Sequence, residues 1–400
     1  MKSWSRCVLL AVTLATAPCV GLSAAPSDRS GSAAEWLERT SVAREWLDGR
    51  YADRWASKVR YEGPPIVLRM SAHNPASGSV VHDVFLPAFD VLRRMSNGKL
   101  IVEPSWGGKI HSLAEGWSAL AQGKTDMTAC YASLESEERG FALLKLLDLP
   151  DLFPNAAVAT VVSEQLYPEY FKADFIKNGV QIARMKATGP SVLFLRATGS
   201  NATSIAGLKV FSAAGVQADA VRALGAVPVV METPLIRDAI AARTLDAAAI
   251  TEAAAAVYGI NREARQVLLA DIGRTNFEYC LSPAFYSRLP ADLKPVLNAW
   301  LRAEAQAETQ VFYGLNGAVA REAFLASGGT ARTFTEAEQR AWRKQLSVVE
   351  QTEVARLEKQ GLPARRFMKE VRRLIDLYGQ RTENEIMTEA IVHPIQGMND

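Results

Sequence analysis

Histidine and cysteine are scarce in this 400-residue chain, with four of each. His73, His82, His111 and His393 fall at no metal-ligand spacing, and no H-E-x-x-H or C-x-x-C pattern occurs. The G-x-S-x-G elbow, the G-x-x-x-x-G-K-[ST] loop and the G-x-G-x-x-G turn are also missing. No catalytic residue, metal site or cofactor is therefore assigned. Charge of one sign is lacking too: 45 lysines and arginines face 43 acids, a formal charge of +2. That leaves no basic excess to neutralise a phosphate backbone, which excludes nucleic acid as the expected partner. Beyond the N-terminus no uncharged apolar run reaches the ~18 residues of a membrane span. Even the alanine-rich stretch Ala239 to Val257 holds Arg243, Asp246 and Glu252.

What is present is an ordinary folding composition, 48% hydrophobic and 22% charged, far from the disordered corner. The length suits two or three domains at ~150 residues each. Lys2 and Arg6 precede an uncharged stretch from Cys7 to Val20, and the small residues Gly21, Ser23, Ala24 and Ala25 follow. This is the order of a secretory signal peptide, assigned to 1–24; the apolar stretch is too short for a ~30 Å hydrocarbon core. Removing it takes away Lys2 and Arg6 and no acid, so the formal charge of the remainder is zero. The predicted location is the periplasm. Cys7 and Cys19 leave with the signal. Cys130 and Cys280 then either pair in an oxidising compartment or stay as buried thiols.

From Ala33 to Val59, Trp36, Trp46 and Trp55 recur among charges, which predicts one or two amphipathic helices ending before Gly63-Pro64-Pro65. Ile66 to Ala72 reads as a strand, Val80 to Met95 as a helix stopped near Gly98, and Leu100 to Glu103 as a strand. A short helix, Leu113 to Ala121, and a strand, Met127 to Tyr131, complete this first α/β run. The pattern restarts with strands at Val180 to Met185, Ser191 to Arg196, Leu208 to Phe211, Val227 to Met231 and Leu245 to Ile250, with helices at Val216 to Leu224 and Leu235 to Arg243. Two similar halves thus join near Ala187 to Pro190, an α/β layering rather than a sandwich or bundle. Ala291 to Leu325 reads as one helix about 50 Å long, enough to cross both halves. Charged helices follow at Glu336 to Gln360 and Ala364 to Tyr378, then a tail. An exported two-lobed α/β chain without a catalytic signature points to a binder, not an enzyme.

Several blocks resemble one family. Leu68-Arg69-Met70-Ser71-Ala72-His73 is similar to its first strand and Ser96-Asn97-Gly98-Lys99-Leu100 to its "s-x-G-k-l" turn. Ala119 to Met127 resembles "v-x-x-G-x-x-D-m", and Leu147 to Phe153 stands where the family has "l-P-f-l-f". Ile205 to Val210, Leu224 to Met231 and Ala239 to Asp246 continue the order. Over roughly Ile66 to Tyr378 the chain resembles the solute-binding subunits of tripartite ATP-independent periplasmic (TRAP) transporters. The resemblance implies a two-lobed periplasmic-binding-protein-like α/β fold with a hinge, a ligand held in the cleft, and a long helix spanning both lobes. It also implies delivery of a small-molecule ligand to integral-membrane TRAP permease subunits. The expected division is 25–63 as a helical extension, 64–189 plus about 276–315 as lobe I, 190–275 plus about 316–380 as lobe II, and 381–400 as a tail. A ligand-sensing subunit of a signalling system on the same fold is the alternative. A monomer is expected, a dimer being the other possibility if the tryptophan-bearing extension forms a surface for a second copy instead of packing on a lobe.

The chain departs from the family where its site residues are expected. The arginine that ends the "G-l-K-x-R" strand and clamps a carboxylate is here Phe211, and no basic residue stands at Ser191 to Leu193. Either Phe211 stacks on an apolar or aromatic part of the ligand, with Tyr131 and Phe277 as further walls, or it fills core and Arg196 or Arg69 supplies the charge. Loops at strand C-termini line clefts in such folds, which adds His73 and Asn74 after the first strand and Thr233 after Met231. Trp106 precedes Gly107-Gly108 where the family has a "q-l-G" loop. Asp126 and Asp246 are read as braces of their loops. The expected ligand is an organic or aromatic acid, or a less polar compound, less dependent on a carboxylate salt bridge than is usual in the family.

Overall fold

The computed structural model describes residues 31–132, 139–196, 204–393, 395 and 398; the signal segment, 1–24, lies outside the described residues. Eleven strands are labelled in chain order: β1 Ile66–Ser71, β2 Leu100–Ser105, β3 Met127–Ala129, β4 Gln181–Ala187, β5 Val192–Leu195, β6 Lys209–Phe211, β7 Val227–Val229, β8 Ala247–Ile250, β9 Gln266–Leu268, β10 Asn276–Leu281 and β11 Thr330–Arg332. They form a five-stranded sheet, β2-β1-β3-β10-β4, and a six-stranded sheet, β11-β9-β5-β8-β6-β7. Each sheet is the centre of one lobe. Prolines in strands, Pro104 in β2 and Pro228 in β7, fall on sheet edges, where a missing N–H breaks no ladder.

The chain crosses between lobes from β4 to β5 and back from β9 to β10. These crossings lie side by side: Thr188 N donates to Thr275 O at 3.0 Å, Ser191 N to Gly273 O at 2.9 Å, and Ile272 N to Ser191 O at 3.0 Å. Gly273 takes φ +111°, and a Cβ there would stand 2.5 Å from Asp148 O, so only glycine fits this crossing. The third connection is the expected long helix. It runs unbroken through Leu293–Ala307, a π-helical stretch Glu308–Asn316, and Gly317–Ala326. Its widened middle falls where the lobes meet, a common position for such π segments near functional sites.

The extension forms helices Ala33–Arg39, Ser41–Leu47 and Asp53–Ala56. Ser32 opens the first with a capping box to Glu35. Its tryptophans pack inward: Trp46 and Trp55 join the lobe I core, and Trp36 lies on the long helix beside Leu315 and Ala318. A Cβ on Gly314 would meet the Trp36 ring at 2.3 Å, which explains a glycine inside that helix. Where the sequence suggested a tail, the structure has a helix, Glu383–Val392, with Met387 and Ile391 in the same core. It is bound to the extension by the Arg39–Glu383 ion pair and by Asn384, which accepts from Val42 N at 3.1 Å and donates to Glu38 O at 2.9 Å. Apolar spacing over this short segment is too sparse to distinguish a packed helix from a tail in the sequence. No helix among the described residues is long and apolar enough to cross a membrane.

Candidate functional site

β1, β3 and β4 run the same way, and β10 runs against β3 and β4. The C-terminal ends of β1, β3 and β4 and the start of β10 therefore share one edge of the lobe I sheet. His73 and Asn74 follow β1, Tyr131 follows β3, Lys186 is near the end of β4, and Phe277 is its partner on β10. In lobe II, β6 and β8 run parallel, so Phe211 and Ile250 end them at one edge. The lobes are in contact: a Cβ on Gly78 would stand 3.5 Å from Val257 Cγ1, and Ala253 packs into the lobe I core.

The edge of lobe I is aromatic. The Tyr131 and Phe277 rings are 4.5 Å apart at 45°. Lys186 Nζ stands 5.4 Å from the centroids of both Phe277 and Tyr313, the latter from the π-helical stretch. Burial first, and then the neighbouring Tyr279, Tyr258, Glu308 and Glu278, push the Tyr131 phenol well above its usual range, so it stays protonated. Tyr258 belongs to lobe II, which places a second-lobe aromatic near this patch.

Beneath the rings lies a buried charge cluster. Arg184 pairs with Glu304 and, at 3.0 Å, with Glu308; Lys186 also pairs with Glu308. All four side chains are at most 3% exposed. Arg184 also lies 4.3 Å over the Tyr279 ring. Burial lowers the Lys186 pKa to about 8 against the opposing pull of Glu308, so it remains cationic at neutral pH.

The eight sequence-predicted residues separate into groups. His73, Asn74, Tyr131 and Phe277 lie along the lobe I edge. The His73 Nε2 lies 3.1 Å from His111 O, which requires the proton on that nitrogen and leaves Nδ1, buried without a partner among the described residues, as an acceptor. Burial lowers the His73 pKa, so the ring is neutral, and lobe II's Glu232 is near enough to oppose that shift. Thr233, half-buried, follows Glu232 in a 3-10 turn, Thr233–Leu235. Asn74 shapes its loop, its carbonyl accepting from Gly107 N at 3.0 Å. Gly108, at φ +67°, could not carry a Cβ without crowding His73 Cδ2 at 3.1 Å. Trp106 turns into lobe I and stacks with Phe85 at 5.7 Å and Phe89 at 6.1 Å. Phe211 is 8% exposed and packs in the lobe II core with Val192, Phe194, Ile236 and Ala248.

Arg196 is not brought to the cleft. β5 is antiparallel to β8, with Val192 opposite Ile250 and Leu195 opposite Ala247, so Arg196 sits at the far edge from Ile250. There it pairs with Asp246 at 3.6 Å, and Asp246 accepts from Lys209 N at 2.9 Å. Arg69 is likewise tied, giving Asp126 hydrogen bonds at 2.9 Å from Nε and Nη2. Asp126 and Asp246 thus brace their loops. Cys130 and Cys280 are joined in a disulfide with Cα atoms 5.8 Å apart, holding the end of β3 to β10 beside Tyr131. A cavity of about 450 Å³ lies elsewhere, lined by Gln165, Pro168, Arg302 and Glu389 among others.

Lys186, Glu308, Tyr313 and Tyr258 were missed in the sequence. Arg184 and Lys186 alternate in a strand whose other residues after Gln181 are apolar, and Glu304 and Glu308 are four apart in the long helix. Matching opposite charges on one face of two core elements was the available signal.

The comparisons agree with this architecture. Residues 71–356 match the family described as bacterial extracellular solute-binding protein, family 7. A TRAP solute-binding protein from Rhodoferax ferrireducens, solved with copurified benzoate, is 20% identical with a TM-score of 0.71, covering 78% of this chain and 98% of its own. A marine metagenome TRAP protein specific for aromatic acids, solved with 3-hydroxybenzoate, is 18% identical at TM-score 0.72, covering 79% and 99%. One from Bordetella bronchiseptica with bound mandelate is 19% identical at 0.68, covering 78% and 99%. No curated protein matches the chain. The chain belongs to the family 7 bacterial extracellular solute-binding proteins, the solute receptors of TRAP transporters. Its function is that of an extracytoplasmic receptor for a small organic solute.

Proposed function

We propose that this protein captures a small solute carrying an aromatic ring in the cleft between its lobes, in the periplasm, and delivers it to membrane permease subunits. The observation that carries the reading is the Tyr131–Phe277 pair at the lobe I strand edge, with Tyr258 of lobe II nearby. A flat ring entering there is covered from both lobes, so capture and closure are linked: the solute stabilises whichever lobe arrangement gives it both sets of contacts. The permease then reads the closed shape. His73, Asn74 and Thr233 complete the rim, and no residue is assigned a catalytic part. The benzoate, 3-hydroxybenzoate and mandelate held by its structural neighbours support an aromatic solute. The export signal read at 1–24 supports the location. The test is to purify the protein from a periplasmic extract without dialysis, release its ligand by heat, and identify it by mass spectrometry. A ring-bearing small molecule at near-stoichiometric yield is expected. Release of only aliphatic solutes would overturn the aromatic reading.

A further inference from the structure

The cations at the floor of the cleft are already spoken for, one acid to each. Arg184 and Lys186 on β4 are matched by Glu304 and Glu308 of the long helix, and all four are buried. Among the described residues, the strand ends at lobe II's facing edge carry no cation, and Arg274 at the crossing faces Asp271 at 3.8 Å. Phe211 stands at the end of β6, Arg196 is held at the far edge by Asp246, and Arg321 pairs with Glu252 at 3.1 Å. Segments 133–138 and 197–203 contain no lysine or arginine. A carboxylate buried over Lys186 would leave the closed cleft with one uncompensated negative charge, and an unmatched charge out of water is strongly unfavourable. An uncharged oxygen meets no such penalty. The Lys186 ammonium has three donors, and among the described residues Glu308 is the acceptor it meets.

We propose that the cleft selects an uncharged aromatic solute bearing an oxygen acceptor, such as an amide, aldehyde or phenol, with Lys186 as the donor and Glu308 as the residue that rejects acids. The inference rests on the reading of the protein as a solute receptor and narrows the class of solute. Glu308 acts through Lys186 and Arg184: it sets their net charge rather than touching the ring.

The probes are benzamide and benzoate, equal in shape and different in charge. Both are titrated calorimetrically into the mature protein after ligand removal. The wild type is expected to bind benzamide at least tenfold tighter. Glu308→Gln leaves Arg184 and Lys186 facing Glu304 alone, so benzoate should gain at least tenfold and the preference should reverse. Lys186→Met should lose at least tenfold for benzamide. The wild-type ratio needs no variant, so the inference stays open to refutation if a variant fails to fold. Tighter benzoate binding by the wild type, or an unchanged ratio in Glu308→Gln, would overturn the charge argument while leaving solute capture intact. Binding of neither probe by either protein would also overturn it, and the receptor reading would then stand or fall on the released solute.

Discussion

Tyr131 and Phe277 meet ring to ring at 4.5 Å, one residue from Cys130 and three from Cys280. The disulfide thus ties together the two strands that carry the aromatic edge of the lobe I sheet. Phe277→Leu keeps an apolar side chain but removes the ring and some volume. It should cost about 1–2 kcal/mol of stability, as partial large-to-small changes do, yet weaken solute binding about tenfold. Urea denaturation and calorimetry measure the two quantities separately.

The Cys130–Cys280 bridge closes a sequence separation of 150 residues. Chain entropy gives such a loop about 5 kcal/mol of stabilisation, an upper figure because denatured chains are not random. The double variant Cys130→Ser/Cys280→Ser should lower Tm by several degrees under non-reducing conditions. Adding reductant should lower the Tm of the wild type and leave that of the variant unchanged.

Burial, helped by the charge of Asp148, pushes the Glu278 carboxyl up from 4.5 to about 8. The folded protein therefore holds a proton that the unfolded chain gives up near pH 4.5. Stability from this group is full below that pH and is lost as pH rises through about 8. Glu164 and Glu252, each raised to about 7 chiefly by burial, act in the same direction. Lys186, lowered to about 8, acts only above that pH. Glu278→Gln mimics the protonated acid. It should flatten the decline in unfolding free energy between about pH 5 and 8 by a few kcal/mol, measured by denaturant titration at each pH.

Trp36 fills the space that Gly314 leaves on the long helix. Trp36→Ala should cost about 3 kcal/mol, within the range for buried aromatics. Gly314→Ala should be comparably damaging, since its methyl would enter the Trp36 ring. Both are checked by chemical denaturation. Near-wild-type stability in either would mean the extension is not packed as described.

The layering was legible because strands and helices alternated with short links and clear stops: the long helix, expected at Ala291 to Leu325, runs Leu293–Ala326. β10 was harder. Asn276–Leu281 interleaves Phe277, Tyr279 and Leu281 with Glu278 and Cys280, and its direction and pairing follow from tertiary packing. Of the proposed site residues, Tyr131 and Phe277 meet at one sheet edge because strand order sends their ends there. Arg196 was misplaced because one residue's position at a strand end does not say which edge that end occupies until antiparallel pairing is known. Lys186 was legible only as a charge in a core strand: a buried cation is tolerated by partners far away in sequence, here Glu308, 122 residues on, and that pairing appears only in the fold.

The most direct measurement is the thermal shift of ligand-stripped protein across aromatic amides and aldehydes, aromatic acids, aliphatic dicarboxylates and sugars. A solute at 100 times its dissociation constant stabilises by about 2.7 kcal/mol, enough to read. The account predicts that ring-bearing solutes give the largest shifts and that Phe277→Ala abolishes them. Largest shifts from short aliphatic dicarboxylates, unchanged in Phe277→Ala, would contradict it.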